Sequence, residues 1–132
     1  SVKQKTPLTM VREFTSAMGQ PMDQDCRHFD VDDKDDARLQ LFLLRLRLID
    51  EETVEVMDSD SKQNLLKELA DVIYVVNGMA VTYGWDLDEA FRRVHVSNMS
   101  KLGEDGKPVV RKDGKIMKGP NYAAPYLDDL VE

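Results

Sequence analysis

Apolar residues recur at helical spacing along most of the chain. The series Val11, Phe14 and Met18 has this spacing and predicts a short first helix. Thr9 is expected to be its N-cap, because a hydroxyl at that position can accept a hydrogen bond from the first turn. Gly19 is expected to end the helix, and the polar residues before Thr9 are expected to be loose.

Two longer helices are predicted at about 37–57 and 61–83, with the turn-prone residues 58–60 between them. So short a connection predicts an antiparallel helical hairpin. The segment before them, residues 23–36, holds seven aspartates with neither helical nor strand spacing. It is interpreted as an acidic linker, since the aspartate spacing and the missing glycine do not fit a calcium-binding EF-hand loop.

A fourth helix is predicted from the capping signals that follow. Gly84 should end the third helix in a left-handed turn. Asp86 and Glu89 have the spacing of a capping box, which opens a helix that should run to about Leu102. Four helices predict an all-α fold, with a helical core at about residues 9–102.

The C-terminal tail, residues 103–132, differs from the helical part in pattern and in charge. It contains the turn dipeptide Asp113-Gly114, flanked by two short apolar pairs as in a small β-hairpin. The two pairs are Val109-Val110 and Ile116-Met117. Residues 101–118 carry six cations and three acids, a local charge of +3, although the whole chain has a net charge of −7.

Length and composition limit the classes of protein to consider. The 132 residues fit one domain, 1–132, and 42% of hydrophobic residues excludes a disordered chain. No apolar run reaches the roughly 20 residues of a membrane span, and no apolar signal-peptide core is present, so we expect a cytoplasmic protein with no membrane partner. The negative charge argues against a nucleic-acid partner, and the single cysteine, Cys26, excludes an internal disulfide.

Four carboxylates lie where the helical wheel predicts apolar neighbours instead of solvent. Glu52 falls among the apolar positions of the second helix, and Glu55 lies one step round from it. On the third helix, Glu68 and Asp71 flank the predicted core stripe. That stripe is Leu65, Leu69, Val72, Val76 and Met79. The i, i+3 spacing holds each pair of carboxylates on one side of its helix.

Four converging carboxylates repel one another and are costly to desolvate unless they are protonated, paired or metal-bound. Lys62 and Lys67 are expected to point elsewhere, which leaves Arg45 as one cation against four acids. Oxygen ligands without His or Cys suit hard cations such as Mg²⁺ or Mn²⁺. The pattern favours a metal site for a phosphorylated ligand, and glutamates that are simply solvated are the alternative.

The fourth helix carries a polar residue within its apolar stripe. Asn98 follows Val94 at i+4, and a buried amide needs a hydrogen-bond partner. Lys101 leans the same way and would bring an ammonium group to a phosphate. A core asparagine beside a lysine that reaches out to solvent is the alternative.

These motifs resemble those of the MazG-like all-α pyrophosphohydrolases. Glu51-Glu52-x-x-Glu55, followed after twelve residues by Glu68-x-x-Asp71, is similar to the E-x-x-E, E-x-x-D signature of that family. The tail is similar to that of phage-encoded members. Between about residues 39 and 127 the resemblance continues in three further segments, 67–74, 97–102 and 118–122.

The resemblance implies hydrolysis of a nucleoside triphosphate to the monophosphate and pyrophosphate. It also implies a homo-oligomer, a dimer or a dimer of dimers, in which a second copy completes the MazG-like helical bundle. Two or more Mg²⁺ or Mn²⁺ ions are implied per site, and the implied ligands are Glu52, Glu55, Glu68 and Asp71. Glu52 is expected also to orient the attacking water, ahead of its neighbour Glu51.

Substrate contacts are expected outside the carboxylates. Asn98 and Lys101 would hold phosphates, and Lys115 and Lys118 would fold over them in a basic lid; a hairpin that docks on a neighbouring protomer is the alternative. Phage relatives of the MazZ type act on dGTP, so dGTP or GTP is the first substrate expected. Three residues are available to stack on the base, with a place in the core as the alternative for each: Phe14, Met18 and Trp85.

Two other interpretations remain open. One is an acidic helical interaction module that binds cations or partners without turnover. The other is a pyrophosphohydrolase with a different substrate, namely phosphoribosyl-ATP, dCTP or dUTP. A phage-encoded member would control nucleotide pools in the cytoplasm of its host.

Overall fold

A computed structural model describes residues 4–26 and 30–132. The described residues form four α-helices, one two-stranded sheet and one 3₁₀ helix, which confirms the all-α fold class. The elements are α1 (Pro7–Ala17), α2 (Ala37–Met57), α3 (Lys62–Tyr83), α4 (Leu87–Met99), β1 (Val109–Val110), β2 (Ile116–Met117) and the 3₁₀ helix Asp128–Leu130. Residues 1–3 of the predicted loose segment and 27–29 of the predicted acidic linker lie outside the described residues. No described helix is long and apolar enough to cross a bilayer.

Local capping decides where the first three helices begin. α2 has the predicted bounds, and α3 starts directly after its N-cap Ser61, whose hydroxyl accepts a hydrogen bond from the Asn64 N–H at 3.1 Å. The predicted start of α1 is wrong. Thr6 is the N-cap, and its Oγ1 accepts from the Thr9 N–H at 3.2 Å. Pro7 then occupies the first helical position, where its missing N–H costs nothing.

α4 ends at Met99, three residues before the predicted end, and only half of its capping box forms. Asp86 Oδ1 accepts a hydrogen bond from the Glu89 N–H at 3.1 Å, as predicted. The Glu89 carboxylate instead binds Arg92 at 2.6 Å and Arg93 at 3.0 Å. These guanidinium groups, Arg92 first, lower the pKa of Glu89 to about 2. Glu89 binds these two arginines because residues three and four positions later in a helix lie on the same face.

The chain forms two compact units, Ser1–Trp85 and Asp86–Glu132. The single domain expected for residues 1–132 stays a prediction. In the first unit, α1 and α2 both pack against α3, and α2 and α3 form the predicted hairpin. Its buried apolar residues are Val11, Leu39, Ala80, Val81 and Tyr83.

Within this one chain the core stripe predicted for α3 is largely uncovered. Its members Leu65 and Leu69 are exposed, Leu69 by 47%. The buried face of α3 runs instead through Glu68, Gly78 and Thr82. Asn77, Ala80, Val81 and Tyr83 of α3 are buried as well, whereas Leu65, Leu69 and Val76 of the predicted stripe are exposed. Exposed apolar faces of this kind often mark surfaces that bind proteins, membranes or ligands.

The loop after α1 is tied to the end of α3. Gly84 ends α3 in the predicted left-handed conformation, with φ 70°. A Cβ added there would lie 2.6 Å from Asp23 Oδ1. Arg12 holds this carboxylate with two hydrogen bonds of 3.0 and 2.6 Å, and the Asp23 N–H donates to the Val81 carbonyl at 3.2 Å. Position 84 therefore requires glycine for two reasons, the close contact with Asp23 and the positive φ.

Gly84→Ala is expected to destabilise the protein more than Gly19→Ala. Both glycines have positive φ, 70° and 66°, where alanine costs roughly 1–2 kcal/mol. Only Gly84 has an atom within 4 Å of the added Cβ, and overpacking of this kind adds about 1–3 kcal/mol. We expect urea denaturation to show the larger loss for Gly84→Ala. Equal losses would mean that Asp23 moves aside without cost.

The second unit consists of α4 and the tail that follows it. The predicted hairpin is confirmed, with Val109 opposite Met117 and Val110 opposite Ile116. Beyond the hairpin, the tail binds α4 of its own chain in two places. Arg93 donates two hydrogen bonds to Asp129, at 2.6 and 3.0 Å, and Ser97 Oγ donates to the Ala123 carbonyl at 2.7 Å.

Candidate metal centre

The antiparallel hairpin of α2 and α3 brings three of the four predicted ligands together. Glu52 and Glu55 lie near the end of α2, and Glu68 lies in the second turn of α3. One carboxylate oxygen of each glutamate lies within 4.8 Å of the other two. Glu68 is only 5% exposed, Glu52 is half-buried and Glu55 is exposed. The three side chains thus form an acidic group that is open on the Glu55 side.

Two oxygens of this acidic group are buried without a hydrogen-bond partner among the described residues, Glu52 Oε2 and Glu68 Oε2. The other oxygen of Glu68 accepts hydrogen bonds from Asn64 Nδ2 at 3.2 Å and from Lys67 Nζ at 3.4 Å. A buried carboxylate oxygen without a partner is destabilising. Carboxylate oxygens are the ligands that Mg²⁺ and Mn²⁺ prefer. The donor set and its two unpartnered oxygens therefore fit a hard divalent cation.

Its two acidic neighbours also affect the protonation of Glu55. A hydrogen bond with Glu68, followed by the charge of Glu52, raises the pKa of Glu55. Like charges at this separation repel each other, which favours the protonated form of the Glu55 carboxyl group. A metal ligand must be deprotonated, and the proton therefore competes with a cation. We expect metal affinity at this group to fall as the pH is lowered.

Asp71, the fourth predicted ligand, lies outside this acidic group. Its Oδ2 is 2.8 Å from Lys67 Nζ, and the same ammonium is 3.4 Å from Glu68 Oε1. The expectation that Lys67 points elsewhere is therefore wrong. The hydrogen bond to Asp71 is the largest cause of the raised pKa of Lys67. The i, i+4 spacing of Lys67 and Asp71 was the available signal in the sequence.

Arg45, the cation predicted beside the acids on α2, is buried in the first unit with 6% exposure. Gly78 makes room for it, since a Cβ there would lie 3.2 Å from Arg45 Nη1. Its Nη2 donates to Gln20 Oε1 at 3.4 Å, and its burial lowers its pKa. Arg45 therefore interacts with the loop after α1 and not with the glutamates.

Glu51, the second catalytic candidate, is exposed on α2. Together with Asp50, Val54 and Glu55 it lines an open depression of about 400 Å³. Its carboxylate does not belong to the group formed by Glu52, Glu55 and Glu68. Glu51 is thus next to the acidic group on the solvent side, and its catalytic role stays a prediction.

Comparison with known proteins places the chain in a family. The sequence model of phosphoribosyl-ATP pyrophosphohydrolase matches residues 11–98. This chain belongs to the phosphoribosyl-ATP pyrophosphohydrolase family. The match contains all four predicted metal ligands, Glu52, Glu55, Glu68 and Asp71.

A viral protein is also similar. Over 111 residues the chain is 30% identical to the uncharacterized protein L479 of Acanthamoeba polyphaga mimivirus. The aligned region covers 82% of this chain and 40% of that protein, so the chain spans less than half of this relative's length. The matching family model is named for a pyrophosphohydrolase of a nucleotide, and MazG-like pyrophosphohydrolases typically use divalent metals.

The phosphate-binding candidates of this family member lie in the second unit. Asn98 is exposed, so its predicted burial is wrong, and its neighbour Ser97 is the buried polar residue of α4. Lys101 is half-buried, and its carbonyl accepts a hydrogen bond from the Gly119 N–H at 2.9 Å. A Cβ at Gly119 would lie 2.7 Å from that carbonyl, so glycine allows the tail to pass this closely. Lys118 directly precedes Gly119 in the sequence, so this contact also brings Lys118 close to the backbone at the end of α4.

The two lysines of the predicted lid are both exposed. Lys118 Nζ lies 4.7 Å from the centroid of the Tyr122 ring, a cation–π contact. Lys115 lies in the hairpin turn, where its N–H donates to Asp113 Oδ1 at 3.2 Å. Both ammonium groups remain accessible to an anion, and their role as a lid stays a prediction.

The aromatic and methionine candidates for base stacking lie in the first unit. Phe14 and Met18 are exposed, Met18 by 60%, so the alternative that places them in the core is wrong. The Phe14 ring meets the Tyr74 ring edge-on, with centroids 5.6 Å apart. Trp85 is half-buried and packs on Tyr83, with centroids 5.1 Å apart. Phe14 and Met18 therefore keep free surface for a ligand.

Proposed function

We propose that the chain hydrolyses a nucleoside or deoxynucleoside triphosphate to the monophosphate and pyrophosphate. Mg²⁺ or Mn²⁺ would be held by Glu52, Glu55, Glu68 and Asp71. The observation that carries the proposal is the convergence of the three glutamates with two buried oxygens that have no partner among the described residues. Family membership supports the reaction class.

Each residue has a distinct part in the proposed reaction. Bound divalent ions would supply positive charge for the phosphate oxygens and lower the pKa of a water molecule. Glu52 accepts a hydrogen bond from that water and orients it towards phosphorus, with Glu51 as the second candidate for this role. Asn98 and Lys101 stay the predicted donors of hydrogen bonds to phosphate oxygens. Pyrophosphate leaves in line with the attacking water.

The first substrate to test is a guanine nucleotide, dGTP or GTP, because the tail is similar to that of phage MazZ-type relatives. Phosphoribosyl-ATP is the second candidate, since the matching family model describes its pyrophosphohydrolase. dCTP and dUTP complete the set. The stacking candidates Phe14 and Met18 would contact the base of whichever nucleotide is bound.

A substrate panel tests this proposal. The protein is incubated with Mg²⁺ and each common NTP, each dNTP and phosphoribosyl-ATP, and the products are separated. We expect a monophosphate and pyrophosphate from one nucleotide class. Release of inorganic phosphate with a diphosphate would indicate a different bond cleavage. Cation binding without any product would support the acidic interaction module instead.

We also propose that the chain assembles as a homodimer or a dimer of dimers. The support is the exposed apolar stripe on α3, which includes Leu65, Leu69 and Val76. A second copy packed on it would remove this surface from water. Leu69→Glu is expected to shift the sedimentation profile towards the monomer, because a buried charge without a partner opposes association.

Charge removal from the proposed lid should weaken substrate binding. In Lys115→Gln/Lys118→Gln, we expect KM to rise about tenfold and its salt dependence to weaken, because charge-assisted hydrogen bonds to phosphate are lost. The control is Lys5→Gln/Lys34→Gln, which makes the same charge change in the first unit. An equal effect of both double variants would assign the change to net charge. If neither double variant changed KM, the proposed role of these lysines as a lid would be ruled out.

A further inference from the structure

We propose that Lys67 is a substrate-binding residue that exchanges partners. In the metal-free protein it is the counter-ion of Asp71 and Glu68; in the loaded complex it binds a phosphate oxygen of the triphosphate. This proposal rests on the proposed function, because it takes Asp71 and Glu68 as metal ligands.

One ammonium group joins the two carboxylates of the second motif. Lys67 Nζ lies 2.8 Å from Asp71 Oδ2 and 3.4 Å from Glu68 Oε1. The side chain of Lys67 is 66% exposed, whereas that of Glu68 is 6% exposed. The ammonium therefore reaches the buried acidic group from its solvent side, and it binds Asp71, the one proposed ligand that stands outside the group.

A divalent cation and Lys67 compete for the same carboxylates. Asp71 cannot give its full charge to a metal ion while an ammonium group lies 2.8 Å from its oxygen, and two cations at one carboxylate repel each other. The existing pair is easily broken, because exposed ion pairs contribute little to folding. The order of the pair, with the cation N-terminal to the acid, is also the weaker one in a helix.

A displaced Lys67 stays beside the proposed metal ligands. Its backbone position adjoins Glu68, and its flexible four-carbon stem lets the ammonium turn to a new acceptor. A triphosphate held there presents anionic oxygens, which form short, strong hydrogen bonds with ammonium groups. Arg45 does not serve in this way, since it is buried and donates to Gln20. Lys67 combines contact with the ligands and exposure to solvent.

The first test measures metal binding without nucleotide. Mn²⁺ affinity is determined by calorimetry for the parent, Lys67→Met and the control Lys62→Met. Lys62 opens the same helix, is exposed, and forms no ion pair with a described residue. We expect Lys67→Met to bind Mn²⁺ about two- to fivefold more tightly, because a competing cation has been removed. Lys62→Met should match the parent.

The second test uses inorganic tripolyphosphate, which has the phosphates but no base, at saturating Mn²⁺. Lys67→Met should bind it about tenfold more weakly than the parent, with a weaker dependence on salt, since one charge-assisted hydrogen bond is lost. Lys67→Arg keeps the charge and should restore most of the affinity. Lys62→Met should again match the parent.

The outcomes separate this proposal from the proposed function. If the parent binds no Mn²⁺ at the acidic group, both the proposed function and the role of Lys67 are contradicted. If the parent binds Mn²⁺ and releases pyrophosphate, only the role of Lys67 is in question. Unchanged tripolyphosphate affinity in Lys67→Met would then overturn it. Weaker Mn²⁺ binding in that variant would also overturn it, because Lys67 would then hold Asp71 in place for the metal instead of competing with it.

Discussion

Glu55→Gln and Asp71→Asn are each expected to lower kcat/KM by about a thousandfold while the helical content stays unchanged. The amide keeps the size of the side chain but loses the negative charge that a hard cation requires. A thousandfold loss corresponds to roughly 4 kcal/mol of transition-state stabilisation, which is in the range that a bound metal supplies. Steady-state kinetics and far-ultraviolet circular dichroism measure the two quantities.

Asp50→Asn is the matched control for this experiment. Asp50 is exposed on α2 and lines the depression beside Glu55, but it does not belong to the acidic group. Its loss should change kcat/KM by less than about threefold, since only screened surface charge is altered. Activity in all variants should also depend on added Mg²⁺ or Mn²⁺. Full turnover by the parent after chelation and dialysis would end the metal hypothesis.

The helical hairpin could be predicted because its limits are set by local chemistry. Ser61 caps α3 through its own hydroxyl, and Gly84 ends the helix because it adopts a left-handed conformation. Such signals involve residues within one turn of each other, so the sequence contains them in full. The signal for the start of α1 is equally local, since Pro7 favours the first helical position and so makes Thr6 the N-cap in place of Thr9.

The buried faces of the helices could not be predicted from spacing alone. A helical wheel identifies the most apolar stripe, but it does not say which neighbour covers that stripe. In α3 the chain itself covers Glu68, Gly78 and Thr82, and it leaves Leu69 exposed. The same applies to α4, where the tail binds Ser97 and not the predicted Asn98.

The convergence of the three glutamates could be predicted from the sequence, but the position of Lys67 could not. The convergence of Glu52, Glu55 and Glu68 follows from two motifs on antiparallel helices, which the short turn at residues 58–60 indicates. A helical wheel does not predict the position of the Lys67 ammonium group, because its angles describe only the directions of the Cβ atoms. A lysine side chain is long enough to leave its own sector and reach an acid one turn away.

Metal-free Glu68→Gln is expected to melt at a higher temperature than the metal-free parent. Glu68 is 5% exposed, and its Oε2 has no hydrogen-bond partner among the described residues. The glutamine oxygen can still accept from Asn64 and Lys67, as Glu68 Oε1 does. Its amide group takes the place of the unpartnered oxygen and can donate to a neighbouring carboxylate. One negative charge is also removed from an acidic group whose members repel each other.

These changes are expected to stabilise the metal-free protein by about 1–2 kcal/mol, or roughly 3–8 °C in Tm. The control is Glu51→Gln, which removes the same charge from an exposed position on α2 and should change stability by less than about 0.5 kcal/mol. Thermal unfolding in the presence of a chelator measures both variants.

Saturating Mn²⁺ should reverse the order of the melting temperatures. A cation that binds only the folded state stabilises it in proportion to the logarithm of its concentration over Kd, and Glu68→Gln loses a proposed ligand. The parent should therefore gain more from Mn²⁺ than the variant does. This reversal distinguishes a metal site from a structural role, because a glutamate that is satisfied within the fold stabilises the protein with or without metal. If metal-free Glu68→Gln melts below the metal-free parent, Glu68 belongs to the fold, and the unpartnered oxygens do not mark a cation site.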